Sequence, residues 1–191
     1  MVSGGFASLA WLAELDVQFA GLYFNALRQN LQGQRAPGCW RSLFDRRNQV
    51  LVARIQFAMA GVNAHINHDL PIAIVNTCLA TGTVPLHGSP EYLDYTAVNT
   101  TLDSLVDMAK RELRMRLLGD ALPPVSHLET SLAAWNMAAA REAAWTNAEI
   151  LWSLRGMPAL SKRFLDGLDG LTSVAGKSLL TPVPVALAAI P

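Results

Sequence analysis

The chain has 191 residues, and its 15 basic and 15 acidic side chains leave no formal net charge at pH 7. This length predicts one domain with a substantial core, and nucleic acid is not an expected partner because phosphate contacts need clustered Lys and Arg. The 51% hydrophobic and 16% charged composition indicates extensive burial, an oligomer interface or a wide apolar pocket. No run of residues approaches the ~20 apolar residues of a membrane span, so no spanning segment is expected.

The cysteines and the N-terminal residues bear on the cellular compartment. Cys39 and Cys78 lack C-x-x-C spacing and are too few for a disulfide framework. We expect both thiols to be reduced and packed inside, because free cysteine behaves as a small apolar side chain. The opening residues, Met1-Val-Ser-Gly-Gly, lack the positive region that begins a signal peptide. These features predict a cytoplasmic protein.

Apolar residues at spacings of three and four predict helices along most of the chain. The first helix is expected over residues 8–31, before a break containing Pro37. Its inward face is predicted to be Trp11, Leu15, Phe19, Leu22 and Ala26. A short helix is expected over 40–47 and a longer one from Asn48, whose buried face includes Leu51 and Ile55.

Proline and glycine divide the rest of the chain. Pro71 lacks a backbone donor and clashes with the preceding turn, so the helix is expected to kink or restart there, with Asp69 able to cap the new segment. Further helices are expected over 91–118, 126–155 and 161–180, and an apolar tail with three prolines over 181–191. No strand pair is evident. The sequence predicts an all-α, single-domain helical bundle over 1–191, with four or five long helices plus short ones.

The segment Asn63-Ala-His-Ile-Asn-His-Asp-Leu-Pro71 places two histidines and an aspartate within an apolar helix. On a wheel of roughly 100° per residue, His65 and Asp69 fall on or beside the inward face, whereas His68 lies further round. A carboxylate at such a position is costly unless it is paired or hydrogen-bonded. His65 is four residues away, within reach on one helix. We therefore predict that His65 and Asp69 are mostly buried and connected.

The helix predicted over 126–155 carries a second unusual pattern. Trp135, Glu142 and Glu149 are spaced by seven residues, and Trp145 and Trp152 flank the same stripe. A helix that turns carboxylates and indoles to one side does not build an ordinary aliphatic core. The carboxylates are either functional acids or members of a salt-bridge network with arginine.

Several segments resemble a bacterial family of unknown function marked by the motif HINxDLP, here His65-Ile-Asn-His-Asp-Leu-Pro71. The likeness also covers 15–20 with 23–24, 94–95 with 98–99, and the segments 140–145 and 148–155, and so spans most of the chain. The resemblance implies no particular activity. It carries over the motif positions His65, Asn67, Asp69 and Pro71, whereas His68 falls at the variable position.

The interpretation we carry forward is a small-molecule enzyme that uses acid–base chemistry without a cofactor. Asp69 orients His65, which moves a proton on a largely apolar metabolite, and Glu142 or Glu149 is the complementary group. The predicted substrate-binding residues are Asn67, Asn99, Trp135, Trp145 and Trp152. Cyclisation, isomerisation or elimination would fit this set. The chain lacks the glycine-rich phosphate loops and the nucleophile elbow, which argues against nucleotide binding and serine hydrolysis.

Two other interpretations stay open. In a metal-dependent hydrolase, His65 and Asp69 would be zinc or iron ligands, completed by Glu142, Glu149 or His87. The chain lacks HExxH and the paired Glu-x-x-His motifs of di-iron bundles, so no metal is assigned. In a non-catalytic binding or scaffold protein, the HINxDLP polar residues would form a buried hydrogen-bond network, and the apolar excess would form a homodimer interface.

Overall fold

A computed structural model describes residues 6–99, 102 and 136–182, and their regular structure is entirely helical. The elements are α1 (Leu9–Leu31), α2 (Gly38–Phe44), α3 (Arg54–Ala64), a π-helical turn (His65–Asp69), α4 (Leu70–Thr81), α5 (90–99), α6 (Met137–Ser153) and α7 (Pro158–Leu179). The predicted all-α class is confirmed. Among these helices, none is both long enough and apolar enough to cross a membrane.

The first and last helices lie close to the predicted ranges, but α3 begins later than expected. Ala53 has an extended backbone, with φ −67° and ψ 147°. Its N–H donates to Oε1 of Gln56 at 2.8 Å, so a side chain from the first turn caps the helix. Leu51 therefore precedes α3 and is exposed, and its predicted inward position is wrong.

A similar cap corrects the helix predicted over 126–155. Asn136 has an extended backbone, with φ −101° and ψ 106°, and its side chain accepts the N–H of Ala139 at 3.0 Å. This N-cap starts α6 at Met137, so no continuous helix runs through residue 136. Residues 100–101 and 103–135, which include Trp135, and residues 183–191 of the tail lie outside the described residues.

A π-helical turn precedes Pro71, and the helix continues through it. Asp69 does not cap a new helix there. The N–H of Leu70 donates to the carbonyl of His65, five residues back. Because Pro71 has no N–H, the regular bonding pattern cannot continue through it, and the π turn absorbs the mismatch. Asp69 keeps a helical backbone, with φ −78° and ψ −38°, and its side chain does not cap α4. The predicted capping role is therefore wrong.

The segment from α3 through the π turn to α4 lies at the centre of the packing. On one side α1 and α6 pack against α4, and on the other α2 and α7 pack against each other and against α3. The π turn contacts α1, α6 and α7. The main core consists of buried side chains from α1, α4, α5 and α6, including Trp11, Leu15, Leu70, Ile74, Tyr95 and Trp145.

Two-sided packing explains why His68 is buried. A wheel with one inward face predicts that His68 lies away from the core, whereas the structure buries it. His68 projects toward the side covered by α2 and α7, where its neighbours include Cys39 and Asp169. The predicted position of His68 was wrong because both sides of the central helix are covered.

Candidate functional site

Asp69 is the centre of a buried polar network. Its side chain is 2% exposed, and its Oδ2 accepts from Nε1 of Trp40 at 2.9 Å and pairs with Nδ1 of His65 at 3.1 Å. Its Oδ1 pairs with Nδ1 of His68 at 2.7 Å. Burial alone would raise the pKa of Asp69, but the hydrogen bonds from His65, His68 and Trp40 outweigh it and lower that pKa. The predicted contact between His65 and Asp69 is confirmed.

The ionised carboxylate fixes the protonation pattern of both imidazoles. An ionised carboxylate only accepts hydrogen bonds, so Nδ1 of His65 and Nδ1 of His68 must each carry a proton. When neutral, each ring therefore keeps an unprotonated Nε2 with a free lone pair. Among the described residues, Nε2 of His65 makes no hydrogen bond, and this side chain is 26% exposed. His65 thus offers one open basic nitrogen.

Aromatic rings hold the imidazole of His65 in place. Phe19 stacks on it, with ring centroids 3.5 Å apart and an interplanar angle of 9°. Tyr23 and Trp40 approach edge-on, with centroid distances of 6.2 Å and 5.9 Å. The carboxylate and these rings together restrict the orientation of His65 from several sides.

The position of Trp40 depends on a second aspartate. Asp169 on α7 accepts the N–H groups of Gly38 and Cys39, both at 2.8 Å, and so ties the start of α2 to α7. A Cβ at position 38 would lie 2.8 Å from Oδ2 of Asp169 and 2.9 Å from Oγ of Ser173. Any larger residue at this position would require Asp169 or Ser173 to shift. The sequence Pro37-Gly38 thereby places α2 where Trp40 reaches Asp69.

Cys39, His68 and Asp169 form a second polar group behind Asp69. One potential ligand atom from each lies within 4.8 Å of the others. Burial raises the pKa of the Cys39 thiol, and the hydrogen bond and charge of Asp169 raise it further. Burial alone would raise the pKa of Asp169, but the backbone N–H groups of Cys39 and Gly38 lower it overall. The thiol is therefore protonated and the carboxylate ionised at neutral pH.

Glu142 and Glu149 belong to a separate, more exposed network around His87. Nε2 of His87 pairs with Glu142 and Nδ1 with Glu149, both at 2.7 Å. The Tyr92 hydroxyl donates to the Glu142 carboxylate at 3.0–3.1 Å. Exposed fractions are 39% for His87, 44% for Glu142 and 28% for Glu149. No described hydrogen bond joins this network to that of Asp69.

This separation changes two sequence-based expectations. Among the described contacts, His65 does not meet Glu142 or Glu149, the predicted complementary group, because α6 packs against α4 and leaves both carboxylates near His87. The alternative metal set of His65 and Asp69 with these residues is not assembled either. Glu142, Glu149 and His87 are bound to one another instead.

Trp145 and Trp152, two of the three predicted tryptophans, do not stack on or lie edge-on to His65. Trp145 is fully buried in the main core, where its ring lies 5.8 Å from Trp11 and 5.0 Å from Tyr95. Trp152 is half-buried and carries the Arg155 guanidinium 4.5 Å from its ring centroid. Large apolar residues on α6 therefore build the core, which is the common use of such residues.

The two asparagines predicted to bind substrate have protein partners. Nδ2 of Asn67 donates to Oδ1 of Asn63 at 3.0 Å. Oδ1 of Asn99 accepts from Nε of Arg141 at 2.6 Å, and Nη2 of the same buried arginine donates to the carbonyl of Tyr95 at 2.9 Å. Their substrate contacts stay predictions, and the described bonds are structural.

The sequence interpretation missed Trp40, His68, Cys39 and Asp169 as members of the site. For Trp40, Cys39 and Asp169 no local signal existed, because they reach the π turn from α2 and α7. Phe19 was predicted to face inward, and Tyr23 lies in a segment covered by the resemblance. For Phe19 and Tyr23, the sequence therefore provided a weak indication that they belong to the site.

The His87 network predicts a measurable pKa. The hydrogen bond to Glu142, supported by Glu149, raises the pKa of His87 above its ordinary value of 6.5. Protonated His87 therefore stabilises the fold at pH values below the unfolded pKa, and this stabilisation is lost as pH rises through the folded pKa. In an NMR titration, Glu142→Gln should lower the pKa of His87, whereas Glu14→Gln on α1 should leave it unchanged. A wild-type His87 that titrates at or below 6.5 would contradict this network.

Comparison with known proteins gives a family but no activity. No match to the chain was found among curated proteins or among solved structures. A family described as a family of unknown function, DUF5995, matches residues 1–182, which is nearly the whole chain. The chain with this buried His–Asp–His network belongs to that family of unknown function.

Proposed function

We propose that this protein is a small-molecule enzyme that uses His65 as a general base, without a cofactor, on a largely apolar metabolite. The observation that carries the proposal is the bond between His65 and the buried Asp69. This bond holds Nδ1 protonated and leaves Nε2 as the open basic nitrogen on a partly exposed ring. A histidine oriented by a carboxylate in this way is a common arrangement for general-base catalysis.

The chemistry requires His65 to take a proton and to give it back. Nε2 removes a proton from an activated C–H of the substrate, so that the C–H bond breaks and an N–H bond forms. The resulting imidazolium lies against the Asp69 carboxylate, which stabilises the positive charge. His65 then returns the proton to another atom of the same substrate. Isomerisation needs only this one group and fits best, since Glu142 and Glu149 are bound to His87.

The surroundings of His65 support an apolar substrate. Phe19, Tyr23 and Trp40 supply the rings around the imidazole. A flat or aliphatic molecule would bury apolar surface against these rings, at roughly 25 cal/mol per Å² removed from water.

We also propose a cytoplasmic location and a homodimer. Two free, buried thiols, Cys39 and Cys78, support a reducing compartment.

The homodimer is supported by α1, where a set of exposed apolar side chains lies opposite the buried face. Successive members of this set are seven or eight residues apart, which puts all of them within about 80° of one another on a helical wheel. They are Leu9, Val17, Phe24 and Leu31. Such a face is typical of a partner surface, and we expect light scattering to give a dimer mass. A mass near 20.6 kDa would contradict the dimer.

Proton transfer by His65 can be tested before the substrate is known. Wild type and His65→Gln would be incubated in D2O with apolar metabolites extracted from bacterial cells, and mass spectrometry would follow deuterium uptake and conversion. We expect at least one metabolite to exchange or convert with wild type. Its rate should fall about 10²–10⁴-fold in His65→Gln, the usual contribution of a general base.

The matched control is His87→Gln, which removes the histidine of the other network and should leave the rate unchanged. Circular dichroism would verify that both variants keep their helical content. Exchange that does not depend on His65 would overturn the proposal. Unfolding of His65→Gln, with no conversion by wild type, would favour the alternative of a non-catalytic scaffold.

A further inference from the structure

We propose that Cys39, His68 and Asp169 form a binding site for a divalent metal ion, with Zn²⁺ as the best match. One potential ligand atom from each residue lies within 4.8 Å of the other two. This inference is independent of the proposed function, because neither His65 nor its substrate takes part in the metal site.

The donor set selects the type of metal. One sulfur, one imidazole nitrogen and one carboxylate oxygen suit a borderline-soft cation such as Zn²⁺, whereas Mg²⁺ and Ca²⁺ prefer oxygen alone. Zinc–ligand bonds of about 2.0–2.3 Å place tetrahedral donors roughly 3.4 Å apart. The donors here lie no more than 4.8 Å apart, so small side-chain adjustments suffice to close the shell. Three protein ligands leave a fourth position for water.

The metal ligands are held in place by neighbours. Nδ1 of His68 is bound to Oδ1 of Asp69 at 2.7 Å, which leaves Nε2 to bind the ion. A carboxylate behind a metal-binding histidine is the usual outer-shell arrangement at zinc sites, because it fixes the tautomer and the ring orientation. Asp169 is fixed by the N–H groups of Gly38 and Cys39. The three ligands therefore converge from α2, the π turn and α7.

Charge also favours a cation at this position. The carboxylates of Asp69 and Asp169 both lie close to His68: Asp69 is 2.7 Å from its Nδ1, and Asp169 lies within 4.8 Å of a ring nitrogen. Among the described ion pairs, neither carboxylate has a Lys or Arg partner. On binding, the Cys39 S–H bond breaks, a sulfur–metal bond forms, and the proton leaves to solvent. The ion then supplies positive charge beside these carboxylates.

Metal titration of the purified full-length chain tests the site. After treatment with a chelator, the protein would be titrated with Zn²⁺ by calorimetry and with Co²⁺ by absorption spectroscopy. We expect one equivalent of each ion, a raised melting temperature with Zn²⁺, and a thiolate-to-cobalt charge-transfer band. Cys39→Ala and Asp169→Asn should each weaken Zn²⁺ binding at least about 100-fold, since losing even an outer hydrogen-bond partner costs about 10–100-fold.

Cys78→Ala is the matched control, because it removes the other buried thiol without touching the site. It should keep the cobalt band and the Zn²⁺ affinity. Failure of wild type to bind one equivalent would overturn the proposal, and so would a band that survives in Cys39→Ala but disappears in Cys78→Ala. If Cys39→Ala does not fold, unchanged affinity in Asp169→Asn overturns it instead. If Zn²⁺ does not bind but the deuterium exchange that depends on His65 is still observed, the metal proposal fails and the proposed function stands.

Discussion

A carboxylate that is buried and ionised needs hydrogen-bond donors around it. The residues that surround Asp69 must therefore be placed so that they donate to it. Its donors are Trp40 from α2 and the two histidines of the π turn. A buried polar group without its partner costs about 1–3 kcal/mol, and more when it is charged. The position of α2 is therefore coupled to the π turn, and Asp169 couples α2 in turn to α7.

The two oxygens of Asp69 divide its roles. Oδ2 binds His65, the proposed base, and Oδ1 binds His68, a proposed metal ligand. One carboxylate thus links both proposals while keeping the two imidazoles on different oxygens. The network of His87, Glu142 and Glu149 differs physically, because its members are 28–44% exposed. Exposed ion pairs contribute little to stability, so this network constrains the fold less than the buried network of Asp69 does.

Local sequence patterns predicted the helices and the His65–Asp69 contact, because both depend on spacing within one segment. They could not predict partners from distant segments. Trp40 precedes Asp69 by 29 residues, and His87 precedes Glu142 by 55. A helical wheel indicates which face is apolar, but not which faces meet. It also assumes one covered side, whereas both sides of the central helix are covered, and this buries His68.

The tautomers of the two histidines provide the most direct test of the role of Asp69. Nitrogen-15 NMR of the side chains at neutral pH distinguishes a proton on Nδ1 from one on Nε2. We predict that His65 carries its proton on Nδ1 and that His68 is also protonated at Nδ1. Asp69→Asn keeps one acceptor oxygen and replaces the other with an NH2 group that only donates, so it should remove this preference at one of the two histidines. A proton on Nε2 of His65 in the wild-type protein, with Nδ1 unprotonated, would contradict the account.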